Sequence, residues 1–321
     1  MSHEAIWAIL ATLSLGVGAA CAQDFPNKPI RLIVGFPPGG GADTVARLIV
    51  PKLSEYLGQQ LVIDNRAGAS GNIALEQLAK APPDGYALMV TTPTVTVNPA
   101  LYARPGYDSV SDFTPIALMV STVYVLVVHP SLPVKSVREL VALAKARPHQ
   151  LNYSSGGNGS AAHLSLELFR SMTSIDIVHV PYKGIAPALV AVLSGEVQFS
   201  SGSPTSTLPL VKEGKLRALA VTSAKRSAFI PDLPSISEAG VPGYETTAWY
   251  GMLAPAKLPK PIIEKLNAAI INVIALPDVR DSLLKQSFDI TTSTPDEFSS
   301  LIKSELSKWS KIVRESGMRI E

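Results

Sequence analysis

Residues 30–57 read IRLIVGFPPGGGADTVARLIVPKLSEYL. Ile30–Val34 is a short β-branched run of the kind that forms a buried strand. It runs into Phe36-Pro37-Pro38-Gly39-Gly40-Gly41, a string that only a loop accommodates. Val45, Leu48, Ile49, Leu53, Tyr56 and Leu57 then recur at helical spacing, and Pro51 is expected to kink that helix. Strand, glycine-rich loop, helix is the repeating unit of a parallel sheet covered by helices.

The same grammar continues along the chain. Leu61–Asp64 reads as a strand, Asn65–Gly71 as a second glycine-rich loop, Asn72–Lys80 as a helix and Tyr86–Thr91 as a third strand. It restarts with an apolar strand over Thr122–Val128 and a helix opened by Ser136, with Glu139 completing a capping box. Leu151–Ser154 leads into Gly156-Gly157-Asn158-Gly159 and a helix over Ser160–Met172. Ile175–Val180, Val197–Phe199 and Leu216–Thr222 read as strands and Pro187–Leu193 as a helix. Phe298, Leu301, Ile302, Trp309, Ile312 and Val313 share one face of a C-terminal helix. The fold class is α/β, in two similar halves.

A length of 321 residues suits about two domains. A 46% hydrophobic content with a net charge of +2 excludes a disordered chain. No basic run marks a nucleic-acid partner, since 28 Lys+Arg face 26 Asp+Glu. One cysteine excludes a thiolate metal cage. Ala5–Ala22 is apolar, rich in small residues and ends in Ala20-Cys21-Ala22. That pattern predicts a signal peptide over residues 1–22, cleaved near Ala22/Gln23, and therefore export to the periplasm. The mature chain would carry no thiol, which suits an oxidising compartment. Two alternatives remain for this segment. Its n-region has no Lys or Arg, as in an uncleaved anchor, and Cys21 follows Gly18-Ala19-Ala20, as in a lipoprotein. Outside the cytoplasm neither ATP nor NAD(P)H is maintained, which removes much chemistry.

Three glycine-rich loops carry the functional signal: Gly39–Gly41, Gly68–Gly71 and Gly156–Gly159. In open α/β sheets, ligands bind beyond the carboxyl ends of the strands. Two such loops from different halves would clamp an anion with backbone N–H groups and helix N-termini. The competing reading is a set of tight strand-to-helix turns. Asp43 would shape its loop rather than touch an anion. Ser154, Ser155 and Ser160 are either turn formers or hydroxyl donors.

Catalytic motifs fail when tested. No Lys completes a Walker A loop, and Gly157-x-Gly159-x-x-Ala162 matches a dinucleotide fingerprint that export disfavours. Gly68-x-Ser70 reaches Asn72 where a nucleophile elbow needs glycine. Ser160 and His163 lack an orienting acid, so His163 reads as a packed or pocket-lining imidazole. His129, His149 and His179 show no ligand spacing, and neither metal nor cofactor is expected.

The string LIVGFPPGGGADTVARLIVPKLSEYLGQQLVIDNRAGASGNIA resembles the Bug family, the periplasmic solute receptors of tripartite tricarboxylate transporters. The resemblance continues through PPDGYALMVTT, NYSSGGNGSAAHLSLELF, VPYKGIAPALVAVLSGEVQF, GKLRALAVTSAKRS and PGYETTAWYGMLAPAKLP. It implies a type II-like periplasmic binding protein fold, two α/β lobes with a ligand cleft between them. Lobe 1 would comprise 23–124 and 248–321, and lobe 2 would comprise 125–247, with crossings near Thr122–Val128 and Glu245–Gly251. It implies a receptor and not an enzyme, monomeric and without cofactor. Such a receptor captures a small organic carboxylate, di-, tricarboxylic or aromatic, by lobe closure and delivers it to membrane transporter subunits.

By the same resemblance, two loops would grip one carboxylate, partly through water. One carries Phe36, Pro38, Gly39, Gly40, Gly41 and Asp43. The other carries Ser154, Ser155, Gly156, Gly159 and Ser160, with His163 beside it. Asn65, Thr92, Lys183, Ser201 and Gly202 would face the distal end. Lys183 is either the partner of a distal carboxylate or a solvent-exposed turn lysine. Relatives often carry M-F-D after VQF, where this chain has Ser200-Ser201-Gly202. Loss of that aspartate argues against an amino-acid ligand, whose ammonium would lack a counter-charge. Trp249 and Tyr250 fit aromatic packing at a domain junction better than a cleft wall. Two other readings stay open: an exported serine hydrolase using Ser155 or Ser160, and a receptor that feeds a sensor rather than a permease.

Overall fold

The computed structural model describes residues 25–227 and 229–316. The Ala5–Ala22 segment, Cys21 and the expected cleavage site lie outside the described residues. Among the described residues no helix is long and apolar enough to cross a membrane.

In chain order the first elements are β1 (Ile30–Val34), α1 (Gly41–Leu57), β2 (Leu61–Asn65), α2 (Asn72–Ala79), β3 (Ala87–Thr91), α3 (Thr94–Leu101) and β4 (Phe113–Thr122). There follow β5 (Val125–Val128), α4 (Val137–Ala146), β6 (Asn152–Ser155), α5 (Ala161–Thr173), β7 (Val178–Pro181), α6 (Ile185–Leu193), β8 (Phe199–Gly202), α7 (Pro204–Lys212) and β9 (Arg217–Val221). The last are β10 (Ala248–Pro255), α8 (Lys260–Ala275), α9 (Pro277–Lys285), β11 (Asp289–Ile290) and α10 (Pro295–Ser316).

Two sheets result. The first has the order β11-β4-β10-β3-β1-β2 and the second β7-β6-β8-β5-β9. β1 runs parallel to both β2 and β3, and β6 runs parallel to both β7 and β8. In the first sheet, alternate residues face opposite layers, as a pleated strand requires. Leu32 and Val34 pack with α1 and α8 on one face, while Ile33 packs with α2 and α10 on the other. The second sheet is likewise covered on both faces. Leu126, Tyr153 and Phe199 meet α4 and α5, and Val125 and Val127 meet α6. The inner parallel strands β1, β3, β6 and β8 are thus largely buried, while the edge strands β2 and β7 are partly exposed.

Two expectations change. Thr122–Val128 is not one strand. Thr122 ends β4 opposite Ala248 in the first sheet, and Val125 begins β5 opposite Gly202 and Val221 in the second. Both ends are buried, so apolar periodicity carries no mark of the change of sheet. β4 itself begins at Phe113, and its Pro115 hid it, since proline removes a ladder donor. Here Pro115 sits where the register with β10 shifts between Met252 and Leu253. Pro51 lies inside α1, which runs from Gly41 to Leu57. The Ser136 cap is present, with the Glu139 N–H donating to Ser136 Oγ at 3.2 Å.

The chain passes between the sheets twice, through Val123–Tyr124 and through the segment ahead of Ala248. A further contact joins the two bodies. Val97 and Leu101 of α3 and Trp309 and Val313 of α10 bury Leu164 of α5.

Candidate ligand-binding cleft

The loops that follow β1, β3, β6 and β7 line one cavity of about 370 Å³. That is a size suited to a small organic ligand. From the first body come Phe36–Ala42, Thr92 and Pro93, and from the second Gly156, Ser160–Ala162 and Lys183–Pro187. Tyr124 and Ala248–Tyr250, which flank the two crossings, complete the wall.

Gly40 is the N-cap of α1, and no side chain caps this helix. Gly41 and Ala42 open it on the cavity wall. The first backbone N–H groups of a helix have no partner within it and carry partial positive charge. The loop that presents them is held from behind. Asp43 is buried and accepts from the Gly39 N–H at 2.9 Å, from Arg47 Nε at 2.8 Å and from Asn65 Nδ2 at 3.0 Å. Asn65 Nδ2 also donates to the Phe36 carbonyl at 3.0 Å. Burial pushes the Asp43 carboxyl up, but Arg47, Gly39 and Asn65 together outweigh it and hold the carboxyl below 3.8.

α5 presents the facing helix N-terminus. Ser160 caps it by accepting from the His163 N–H at 3.4 Å. The Gly159 N–H donates to His163 Nδ1 at 3.0 Å, which requires that nitrogen to be unprotonated. His163 stacks on His179 with ring centroids 4.1 Å apart, and His179 stacks on Tyr153 at 4.8 Å. Burial, aided by Arg170, pushes His163 down to about 4; burial and the neighbouring His163 push His179 down to about 3. Both imidazoles are therefore neutral over the ordinary pH range.

Tyr124 and Tyr250 both stand on the cavity wall. Burial pushes Tyr124 up to about 12 and Tyr250 well above its usual range, so both phenols stay neutral. Lys183 is then the charged side chain among the described residues of the wall.

The structure brings together Phe36, Pro38, Gly39, Gly40, Gly41, Thr92, Gly156, Ser160 and Lys183 from the expected site. The others stand outside the wall. Asp43 and Asn65 brace the β1–α1 loop. Gly159 and His163 bond each other. Ser154 Oγ donates to the Ala188 carbonyl at 2.8 Å, Ser165 Oγ donates to Ser201 Oγ at 3.0 Å, and Gly202 is buried beside Thr207. Ser155 Oγ lies 2.7 Å from His179 Nε2. That is a serine–histidine pair, but no carboxylate among the described residues bonds His179, so the orienting member of a triad is missing.

The second glycine-rich loop also lies off the cavity. Its Ser70, in a left-handed conformation at φ 52°, donates Oγ to the Asn158 carbonyl of the third loop. Asn98 Nδ2 in turn donates to the Ser70 carbonyl at 3.3 Å. This loop joins the two bodies. Tyr124, Pro93, Ile185 and Pro187 are wall residues that sequence reasoning did not single out, and Trp249 and Tyr250 line the cavity as well as the junction.

A family model described as "Tripartite tricarboxylate transporter family receptor" matches residues 45–318. Protein BugT of Bordetella pertussis is 34% identical over 95% of this chain and 95% of its own. Among solved structures, R. palustris Rpa4515 with adipate is similar at 39% identity and a TM-score of 0.87, over 92% of this chain and 100% of that one. MatC (Rpa3494) from Rhodopseudomonas palustris with bound malate is similar at 33% identity and a TM-score of 0.84, over 90% and 100%.

Proposed function

The chain belongs to the tripartite tricarboxylate transporter receptor family, whose members bind solutes and are not enzymes, and from that premise we propose that it captures a small organic carboxylate in the periplasm and delivers it to the membrane subunits of such a transporter. Lobe 1 comprises 23–124 and 248–321, lobe 2 comprises 125–247, and the segments between them act as hinges. Export rests on the signal peptide read in residues 1–22, with cleavage near Ala22/Gln23.

One observation carries this reading. The N-termini of α1 and α5, one from each sheet, line the same cavity. A carboxylate there accepts backbone N–H bonds from both bodies at once, so its binding favours the state in which they are close. The side-chain carboxylate nearest the clamp, Asp43, is already neutralised by Arg47. Water-bridged contacts hold such a ligand nearly as well as direct ones. The adipate and malate held by two similar proteins are ligands of this class.

Calorimetric titration with adipate, malate and dimethyl adipate tests the reading. Saturable binding of an acid and none of the uncharged ester is expected. A folded sample that binds neither acid would sink it.

A further inference from the structure

We infer that His163 positions the α5 half of the clamp through an imidazole that has to be neutral: its Nδ1 holds the Gly159 N–H, and a proton on that nitrogen releases the loop and weakens the ligand. The inference rests on the receptor reading above and adds a positioning residue to the same site.

Gly156 and Ser160 line the cavity, with Gly157 and Gly159 between them. Gly157 and Gly159 have φ of 117° and 76°, so these two positions offer no side chain to anchor the turn. The anchors come from behind. The Gly157 N–H donates to Ser155 Oγ at 3.2 Å, and the Gly159 N–H donates to His163 Nδ1 at 3.0 Å. Gly159 is also pressed against α3 of the first body, where a Cβ would stand 3.0 Å from Asn98 Oδ1 and 3.1 Å from Leu101 Cδ1. A shift of Gly159 therefore disturbs both the cavity wall and the contact between the bodies.

His163 and Ser160 form a reciprocal cap. Ser160 is the N-cap of α5 and accepts from the His163 N–H at 3.4 Å, while the His163 side chain reaches back to the Gly159 N–H. In a capping box that return acceptor is ordinarily the carboxylate or amide of Glu or Gln. A carboxylate here would set a negative charge beside the anion that the clamp holds. The neutral imidazole accepts the same bond without that charge. Asp43, the corresponding brace of the α1 loop, is a carboxylate but carries Arg47 as its counter-charge.

The titratable groups around the His163 ring come from three elements. His179 of β7 stacks on it at 4.1 Å and Tyr153 of β6 lies 6.5 Å away. On α5 itself, Glu167 accepts from the Tyr153 hydroxyl and from Arg170. His179 keeps its own bond, 2.7 Å to Ser155 Oγ, in either charge state, since its Nε2 can donate in both. His163 has no such choice. Once protonated, Nδ1 is a donor facing the Gly159 N–H, and the bond is gone. The burial that pushes His163 down to about 4 keeps the acceptor in place at ordinary pH.

The test compares the purified protein with His163→Asn, which keeps an acceptor at the Nδ1 position, and His163→Leu, which removes it at similar size. Each is titrated calorimetrically with adipate and malate. At about pH 7.5, His163→Leu is expected to weaken the bound acid about two- to tenfold, the worth of one hydrogen bond, and His163→Asn less than about twofold. At about pH 4 half of the wild-type imidazole is protonated, so the wild type is expected to fall about twofold behind His163→Asn, a comparison that cancels the acid's own titration. Imidazole nitrogen NMR of the wild type at about pH 7.5 is expected to show His163 Nδ1 bare and Nε2 protonated. A protonated Nδ1, equal losses in the two variants, or a wild type that keeps pace with His163→Asn at the acid pH overturns this inference and leaves the receptor reading intact. A wild type that binds neither acid overturns both.

Discussion

The hydroxyl of Tyr250 fills the space that any side chain at Gly41 would need. The two residues lie on the first turn of α1 and on β10, so the clamp loop is fitted against the strand that follows the second crossing. Glycine is needed there for close approach, because its backbone is not in the left-handed region. Gly41→Ala is expected to weaken adipate binding and to lower stability by about 1–3 kcal/mol, the scale of overpacking. Tyr250→Phe in the same chain should recover part of both losses. Denaturant titration and calorimetry check this, and strictly additive losses would contradict the contact.

Ser70→Gly removes the hydroxyl that donates to the Asn158 carbonyl and relieves, rather than adds, left-handed strain. One cross-body hydrogen bond of about 0.5–1.5 kcal/mol is lost. Ligand dissociation should speed up about two- to tenfold on that scale, with little change in association. Stopped-flow measurement of ligand release reads it. An unchanged release rate would mean that the second glycine-rich loop does not hold the closed form.

Asp43→Ala is expected to weaken adipate, hexanoate and malate alike, since Asp43 holds the clamp loop and does not line the cavity. The loss should be about tenfold, the worth of a charge-assisted hydrogen bond. Its carboxyl is held below 3.8 in the folded chain, so its stabilisation is complete above that pH and fades as the pH falls through the lowered value. Selective loss of one acid would instead place Asp43 in ligand recognition.

His163 and His179 set the acid limit of stability. Both are pushed down from 6.5, to about 4 and about 3, so the unfolded chain binds more protons than the folded one between these values. Their stabilisation is therefore present above about 6.5 and is lost as the pH falls toward 4. Urea midpoints should drop between about pH 7 and about pH 5, with close to two protons taken up on unfolding. His163→Gln should reduce that uptake by about one proton. A midpoint independent of pH over this window would contradict the buried, neutral pair.

Much of this was legible in the sequence, and the remainder was hidden for definite reasons. The β1 loop and the Gly156–Gly159 loop were readable because strand, glycine and helix signals sit side by side in the chain. β10 was harder, since all eight of its residues are buried and no alternation marks it. Tyr124 and Tyr250 meet only because two distant crossings return to one place. The pairing of Ser155 with His179 joins neighbouring strands, which spacing along one chain segment does not reveal. Asn65 is a distal ligand contact only by the family resemblance; in the structure its amide bonds Asp43 and the Phe36 carbonyl, partners that lie far along the chain and that spacing does not reveal.

The most direct measurement is a crystal structure of the protein with adipate bound. One carboxylate is expected within hydrogen-bond reach of the backbone N–H groups at the N-termini of α1 and α5, directly or through one water. A ligand anchored elsewhere, with both helix N-termini facing solvent, would contradict the account.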